Sequence, residues 1–334
     1  METYYYRKGY RPNLSLKDNE YAIKVIRNYF ETRLASELKL LRVTAPLFVE
    51  SRTGINDDLS GKEVPVTFNV SDFLNHMEIV HSLAKWKRLN ISKFNLKTYE
   101  GIYTDMNAIR KDEVRDNYHS IYVDQWDYEI LITEKDRNLN FLKKVVNKIY
   151  DVLYETEKFS SKNFKCEAVL PKNIKFITSE KLLKKYPNLS PDERVNEYVK
   201  EKGAIFVAQI GAPLSNGLPQ DSRAPDYDDW ELNGDLFVYN PVLGNALELS
   251  SMGIRVNKES LVKQCELSNK NYMLNFKYQQ KVLHDELPYT IGGGIGQSRL
   301  CMFMLKKLHI GEVQSSIWSL STIEGLKDKG VTLL

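Results

Sequence analysis

The sequence predicts an α+β fold, a mostly antiparallel β-sheet flanked by helices, and three observations predict it. Strand-like and helix-like segments mix irregularly instead of alternating as a βαβ series. Two strand-like runs, residues 101–110 and 118–130, are joined by the charged loop 111–117. No repeat, low-complexity segment or linker divides the 334 residues, so the economical reading is a single domain over residues 1–334.

In chain order, Asp18-Asn-Glu offers an N-cap. Ile23, Ile26, Phe30, Leu34, Leu38 and Leu41 then recur at spacings of three and four, as on an amphipathic helix of about six turns. Val43 and Thr44 turn to strand before Pro46, and residues 51–61 form a polar loop carrying Asp57 and Asp58. Residues 64–70 alternate like a strand. After them His81, Lys85, Lys87 and Arg88 cluster around Trp86, a pattern that fits a solvated face or an anionic ligand.

In the strand 118–130, alternation puts Ile121, Val123, Gln125, Asp127 and Glu129 on one face. That face is too polar for a core and should border solvent or a site. Residues 134–159 read as a helix. A short strand at 174–178 leads into a helix capped by Ser179; Pro191 opens another, and 204–210 is a buried strand.

Arg223-Ala-Pro-Asp-Tyr-Asp-Asp-Trp230 is unexceptional as a surface turn. Two apolar strands follow it, carrying Asp235, Glu248 and Arg255 at buried-looking positions, where charges must be paired or bound to metal. Alternation places Glu248 and Ser251 on opposite faces. A shared site therefore needs a bulge, expected at Gly253. Finally, Thr290-Ile-Gly-Gly-Gly-Ile-Gly-Gln-Ser-Arg299 reads as a strand ending near Ile291, a glycine junction and a helix start. It is either a packing turn or a cradle where backbone approaches a nucleotide closely, with Arg299 offering a planar fork to phosphate or base. The spacing is neither that of a Walker loop nor of a dinucleotide fingerprint.

Composition narrows the function. The net charge of +3, from 47 basic and 44 acidic residues, shows no global footprint for nucleic acid. Cys166, Cys265 and Cys301 have neither metal-ligand spacing nor a disulfide pattern, which suits a reducing cytoplasm. The start, Met1-Glu-Thr-Tyr, lacks the regions of a signal peptide, and no run of about 18 apolar residues suggests a membrane span.

Four features in chain order, the long helix with its strand and Pro46, Arg110 with Asp112-Glu113, Glu248-Leu-Ser-Ser251 with Arg255, and the glycine stretch closing on Arg299, resemble the three motifs of class II aminoacyl-tRNA synthetases. The strings His81-Ser-Leu-Ala-Lys-Trp-Lys-Arg88, His119-Ser-Ile-Tyr-Val-Asp-Gln-Trp-Asp127, Arg223-Ala-Pro-Asp-Tyr-Asp-Asp-Trp230 and Thr290–Arg299 are similar to those of the ammonia-dependent, AMP-forming asparagine synthetases, the aspartate–ammonia ligases. The likeness covers residues 21–309. Asn56-Asp-Asp-Leu-Ser-Gly61 departs from the pattern, with Asp58 where asparagine commonly stands.

The resemblance implies a class II synthetase-like catalytic core that makes L-asparagine from L-aspartate, ammonia and ATP through β-aspartyl-AMP. Arg110 would hold the α-phosphate, Glu113 the adenine edge, and Arg299 the triphosphate and adenine, over Gly294 and Gly296. Asp235, Glu248 and Ser251 would form the Mg²⁺ and ATP group, with Asp235 and Glu248 as metal ligands. Arg255 and Lys87 would take the α-carboxylate of aspartate, and Ser82, Gln125 and Asp127 its amino group. Asp57, with Asp228 second, is the candidate for handling the ammonium proton. Met1-Glu2 stands where a glutaminase would need a catalytic cysteine, so free ammonia is the expected donor. A homodimer through the first helix and strand is a further family expectation. Two rival readings stand beside this one: an aspartyl- or asparaginyl-tRNA synthetase core, and a non-catalytic paralogue, which would be expected to lack Arg110, Glu248 or Arg299.

Overall fold

The structure, a computed structural model, describes residues 3–334; Met1 and Glu2 lie outside the described residues. Its helices are α1 (Leu16–Leu38), α2 (Ala84–Asn90), α3 (Leu139–Phe164), α4 (Ser179–Lys185), α5 (Pro191–Lys202), α6 (Lys258–Leu267), α7 (Lys277–Leu283), α8 (Gln297–Met304) and α9 (Leu320–Lys327). The strands are β1 (Leu40–Arg42), β2 (Phe48–Glu50), β3 (Thr67–Phe68), β4 (Met77–Ile79), β5 (Gly101–Ile109), β6 (Tyr122–Leu131), β7 (Lys175–Thr178), β8 (Ala204–Ala208), β9 (Asp228–Asn240), β10 (Asn245–Arg255) and β11 (Thr290–Gly296).

Eight strands form one sheet in the order β1-β5-β6-β11-β10-β9-β8-β7, and β2-β4-β3 make a small second sheet. The large sheet is antiparallel except at its ends, where β1 runs parallel to β5 and β7 parallel to β8. This is the mostly antiparallel α+β architecture expected.

The first helix buries Ala22, Ile23, Ile26, Phe30, Leu34 and Leu38. Its cap is Ser15, whose hydroxyl accepts from the Asp18 N–H, so the helix starts ahead of the expected cap at Asp18. Lys39, at φ 54°, ends it in the left-handed conformation. Helices α1, α3 and α8 cover one face of the sheet, packing on Trp126, Tyr128, Leu249, Met252, Ile291 and Ile295. Everything that alternates with these residues faces the other way.

Several boundaries differ from expectation for local reasons. Within the run 64–70 only Thr67–Phe68 pairs, with β4. The Asp116 carboxylate accepts the backbone N–H groups of Tyr118 and His119, a turn that delays β6 to Tyr122. Thr178, not Ser179, caps α4, while the Ser179 hydroxyl is drawn to the Ala208 carbonyl. The largest difference is at the glycines. The strand does not end at Ile291 but runs on through Gly296 as β11, between β6 and β10.

Candidate active site

The floor of the site follows from that strand. Glu129 pairs with Gly292, Asp127 with Gly294 and Gln125 with Gly296. Ile291 and Ile295 turn to the core, so Gly292, Gly294 and Gly296 leave the opposite face of β11 empty. The predicted polar face of β6 leans into that gap. A Cβ on Gly292 would collide with the Glu129 carboxylate and the Arg255 guanidinium, and one on Gly294 with Gln125 and with Asp127, 2.6 Å from its Oδ1. The glycine cluster is therefore neither a turn nor a junction loop, but a central strand stripped of side chains on one face.

Arg255 lies across this gap. Its Nε is 2.9 Å from Glu129 Oε1, its Nη2 2.7 Å from Glu129 Oε2, and its Nη1 is ion-paired with Asp228. All three groups are buried, the condition under which a charge needs a hydrogen-bonded partner. Burial works to raise the Glu129 carboxyl, but Arg255 holds it below the ordinary glutamate value. Burial and then Glu129 push the Asp228 carboxyl up, against the pull of Arg255. The irregularity expected at Gly253 is present, and a second one accompanies it. Register shifts occur both between Glu248 and Ser250 and between Gly253 and Arg255. The first brings Glu248 to the face of Ser251, because Ser251 and Arg255 already share a face.

Short helix α2 lies over the floor. His81, Lys85, Lys87 and Arg88 are all almost fully buried, so the basic cluster is not a solvated face. Lys87 Nζ is 3.4 Å from Asp127 Oδ1 and 3.2 Å from the Gly293 carbonyl oxygen. Asp127 Oδ2 accepts from the Leu83 N–H at 3.2 Å, at the start of α2. Burial pushes the Lys87 amine down; Asp127 opposes this, and Arg255 adds to it. Lys85 pairs with Asp226 at 2.6 Å, away from the roles inferred from sequence. Asp57, from the polar loop, accepts the Leu59 N–H at 2.9 Å and offers its carbonyl to His81 Nδ1 at 3.0 Å.

At the other end of the same cavity stand two arginines. Arg110 follows β5 directly; its Nη2 reaches the His81 carbonyl at 3.2 Å, and its Nε is buried without a partner. Arg299, from the first turn of α8, donates to the Glu248 carbonyl at 3.2 Å and lies 3.6 Å from Glu248 Oε2. The start of α8 is fixed by Asp124, which accepts the Ser298 N–H at 3.1 Å.

One cavity of about 330 Å³ is lined by Asp57, Ser82, Lys87, Arg110, Glu113, Gln125, Asp127, Asp228, Glu248, Ser251, Arg255, Gly294, Gly296 and Arg299. Asp235 is the exception. It stands opposite Ser251 on β9, is not itself among the lining residues, and is ion-paired with Arg223, which is. Its Oδ1 is buried without a partner. Burial drives its carboxyl up to about 7, with Arg223 opposing and Glu248 assisting. Among the described residues no group of three or more His, Cys, Asp or Glu is arranged to hold a metal. Two carboxylates, one with an unused oxygen, nonetheless fit Mg²⁺, which takes one or two carboxylates plus phosphate oxygens.

Two lining or supporting residues had no role at the level of sequence. Glu129 was legible as a member of the polar face but not as the clamp on Arg255. Arg223 stood inside a quoted string, and nothing local signalled its pairing with Asp235.

The family model for aspartate-ammonia ligase matches residues 17–330. An aspartate–ammonia ligase of Clostridium tetani is 51% identical over 98% of this chain and 96% of its own. One of Fusobacterium nucleatum is 52% identical over 98% of this chain and 100% of its own. Among solved structures, asparaginyl-tRNA synthetases in complex with asparaginyl-adenylate are similar in fold. That of Entamoeba histolytica superposes with a TM-score of 0.63 at 16% identity, over 90% of this chain and 66% of its own. That of Pyrococcus horikoshii gives 0.64 at 14%, over 89% and 68%. The fold is thus that of a class II synthetase core, and the chain belongs to the aspartate–ammonia ligase family.

Proposed function

We propose that the protein is an ATP-dependent aspartate–ammonia ligase that forms L-asparagine, AMP and pyrophosphate by way of β-aspartyl-AMP. The observation that carries the proposal is a single cavity holding two kinds of equipment. By strand register, Arg110 and Arg299 lie beyond its Gln125–Gly296 end, while Asp127, Lys87 and Arg255 lie along Gly294 to Gly292.

The chemistry assigns the roles. A carboxylate resists nucleophiles, so the β-carboxylate of aspartate must first attack the α-phosphorus of ATP in line and expel pyrophosphate. Arg110 and Arg299 stabilise the charge that develops on the phosphate oxygens. Glu113 meets the adenine edge, and the bare backbone of Gly294 and Gly296 lets the nucleotide lie close. Arg255 and Lys87 hold the α-carboxylate, while Gln125, Asp127 and Ser82 hold the α-amino group, which leaves the β-carboxylate facing the phosphate. Asp235 and Glu248, with Ser251, would hold Mg²⁺; when bound, it neutralises the phosphates.

Ammonia then attacks the β-carbonyl carbon, and AMP departs with the bonding pair of the mixed anhydride. Asp57 is the candidate to take the ammonium proton. Asp228 is the second candidate, less free because Arg255 already engages it. The chain acts as one catalytic domain over residues 1–334, as a homodimer through α1 and β1, in the cytoplasm. No described helix is long and apolar enough to cross a membrane.

The direct test is incubation with aspartate, ATP, Mg²⁺ and ammonium chloride, followed by identification of the products. Asparagine with stoichiometric AMP and pyrophosphate is expected. ADP as product, or a requirement for tRNA, would sink the proposal.

A further inference from the structure

Arg223 is a cavity-lining cation that none of the roles above employs. Its Nη2 is ion-paired with Asp235, whose side chain is 3% exposed. Its Nη1 lies 3.0 Å from Asp221 Oδ2, on a side chain that is 59% exposed. The guanidinium thus bridges a solvent-facing carboxylate and one of the most deeply buried carboxylates of the site. Asp235 is also one of the two groups read above as magnesium ligands, and its other oxygen has no partner. A buried carboxylate with neither a cation nor a proton is costly, and in the nucleotide-free protein Arg223 is the cation that stands beside it. Arginine does not lose its proton, so it repels a divalent ion seeking the same oxygens.

We propose that Arg223 is a placeholder cation: it neutralises Asp235 in the nucleotide-free protein, yields that carboxylate when magnesium-bearing nucleotide enters, and turns to the phosphates while keeping its contact with Asp221. The inference rests on the reading of Asp235 and Glu248 as the metal carboxylates. Its functional consequence is discrimination. A bare divalent ion must displace Arg223 with only two carboxylates to gain, whereas the nucleotide complex also brings phosphate oxygens that receive the released guanidinium. The site therefore favours the metal–nucleotide complex over free metal.

The test uses the full chain and manganese alone, without nucleotide or aspartate, reading free Mn²⁺ by its electron paramagnetic resonance signal. Arg223→Gln, which keeps an N–H for Asp235 but removes the charge, should tighten Mn²⁺ binding about tenfold, while Arg223→Lys should stay near the parent. Equal affinity in all three chains would overturn the proposal. Asp221→Asn changes an exposed group and should fold whatever the other variants do. It removes the carboxylate that retains the guanidinium once Asp235 is given up and should weaken Mn²⁺ binding several-fold; no change there would also overturn the proposal. Asp235→Asn, titrated with Mn²⁺ and ATP together, tests the premise separately. Unaltered binding in that variant would remove the metal reading and the inference with it, whatever the ligase assay shows.

Discussion

Arg255 has five N–H donors, and Glu129 and Asp228 engage its Nε, Nη2 and Nη1 with one N–H each, which leaves two for a ligand. Glu129 therefore sets the orientation in which those two are offered. Glu129→Gln keeps the shape but removes the charge opposite a buried guanidinium. It should lower stability by about 3 kcal/mol in urea denaturation and raise the aspartate KM more than tenfold. An unchanged denaturation midpoint would show the clamp to be dispensable. Arg299→Ala should reduce aspartate-dependent pyrophosphate release by about 10² to 10³-fold, the scale expected for a lost transition-state donor. Retained release would refute its assignment.

Lys87 supplies a pH prediction. Asp127, Arg255 and Glu129 face it, and burial depresses its amine below the ordinary lysine value. A carboxylate is held by the charged form, present below the folded pKa. Aspartate affinity should therefore fall as pH rises through that depressed value, ahead of the pH at which an ordinary lysine loses its proton. The same shift acts oppositely on stability. The folded chain releases this proton before the unfolded chain does, so Lys87 adds stability as pH rises across the window between the two values. Calorimetric titration with aspartate, without ATP or ammonia, checks the first effect. Lys87→Arg should flatten the profile, and because the amino group of aspartate titrates alike in both chains, matching profiles would rule Lys87 out.

At the scale of elements, β11 is the determinant. Gly294→Ala places a methyl group against Gln125 and Asp127, and should cost about 2 kcal/mol of stability together with most of the aspartate affinity. Gly296→Ala meets only the aliphatic part of Arg299, at 3.3 Å, and should be milder in thermal denaturation. Equal effects at the two positions would mean that the close approach of β6 side chains is not why these residues are glycine. This strand also shows where local pattern misleads. Four glycines in five positions read as loop, because glycine weakens an isolated strand; here two neighbouring strands supply the ladder bonds, and the empty face supplies room. The polar face of β6, in contrast, was legible from period-two alternation, as was the buried stripe of α1 from its spacing, except for its last expected member, Leu41, which lies exposed in β1.

For the molecule as a whole, the proposed homodimer should sediment as two copies, and an active monomer at assay concentration would remove the assigned role of α1 and β1. The site draws on elements far apart in the chain: Asp57 and Ser82 from loops, Lys87 from α2, Gln125 and Asp127 from β6, Glu248 and Arg255 from β10, and Arg299 from α8.

From the sequence alone came the fold class, the family resemblance and the set of residue types able to hold a nucleotide and an amino acid, because periodicity and composition report which face is buried and which chemistry is present. Only the tertiary structure decided that the glycines form a strand, that Glu129 and Asp228 clamp Arg255, and that Arg223 occupies Asp235. Each of those contacts depends on the register between strands, or on a loop folded back onto a strand. Register is set by hydrogen bonds and packing between segments distant in the chain, and no local spacing records which partner a strand will take.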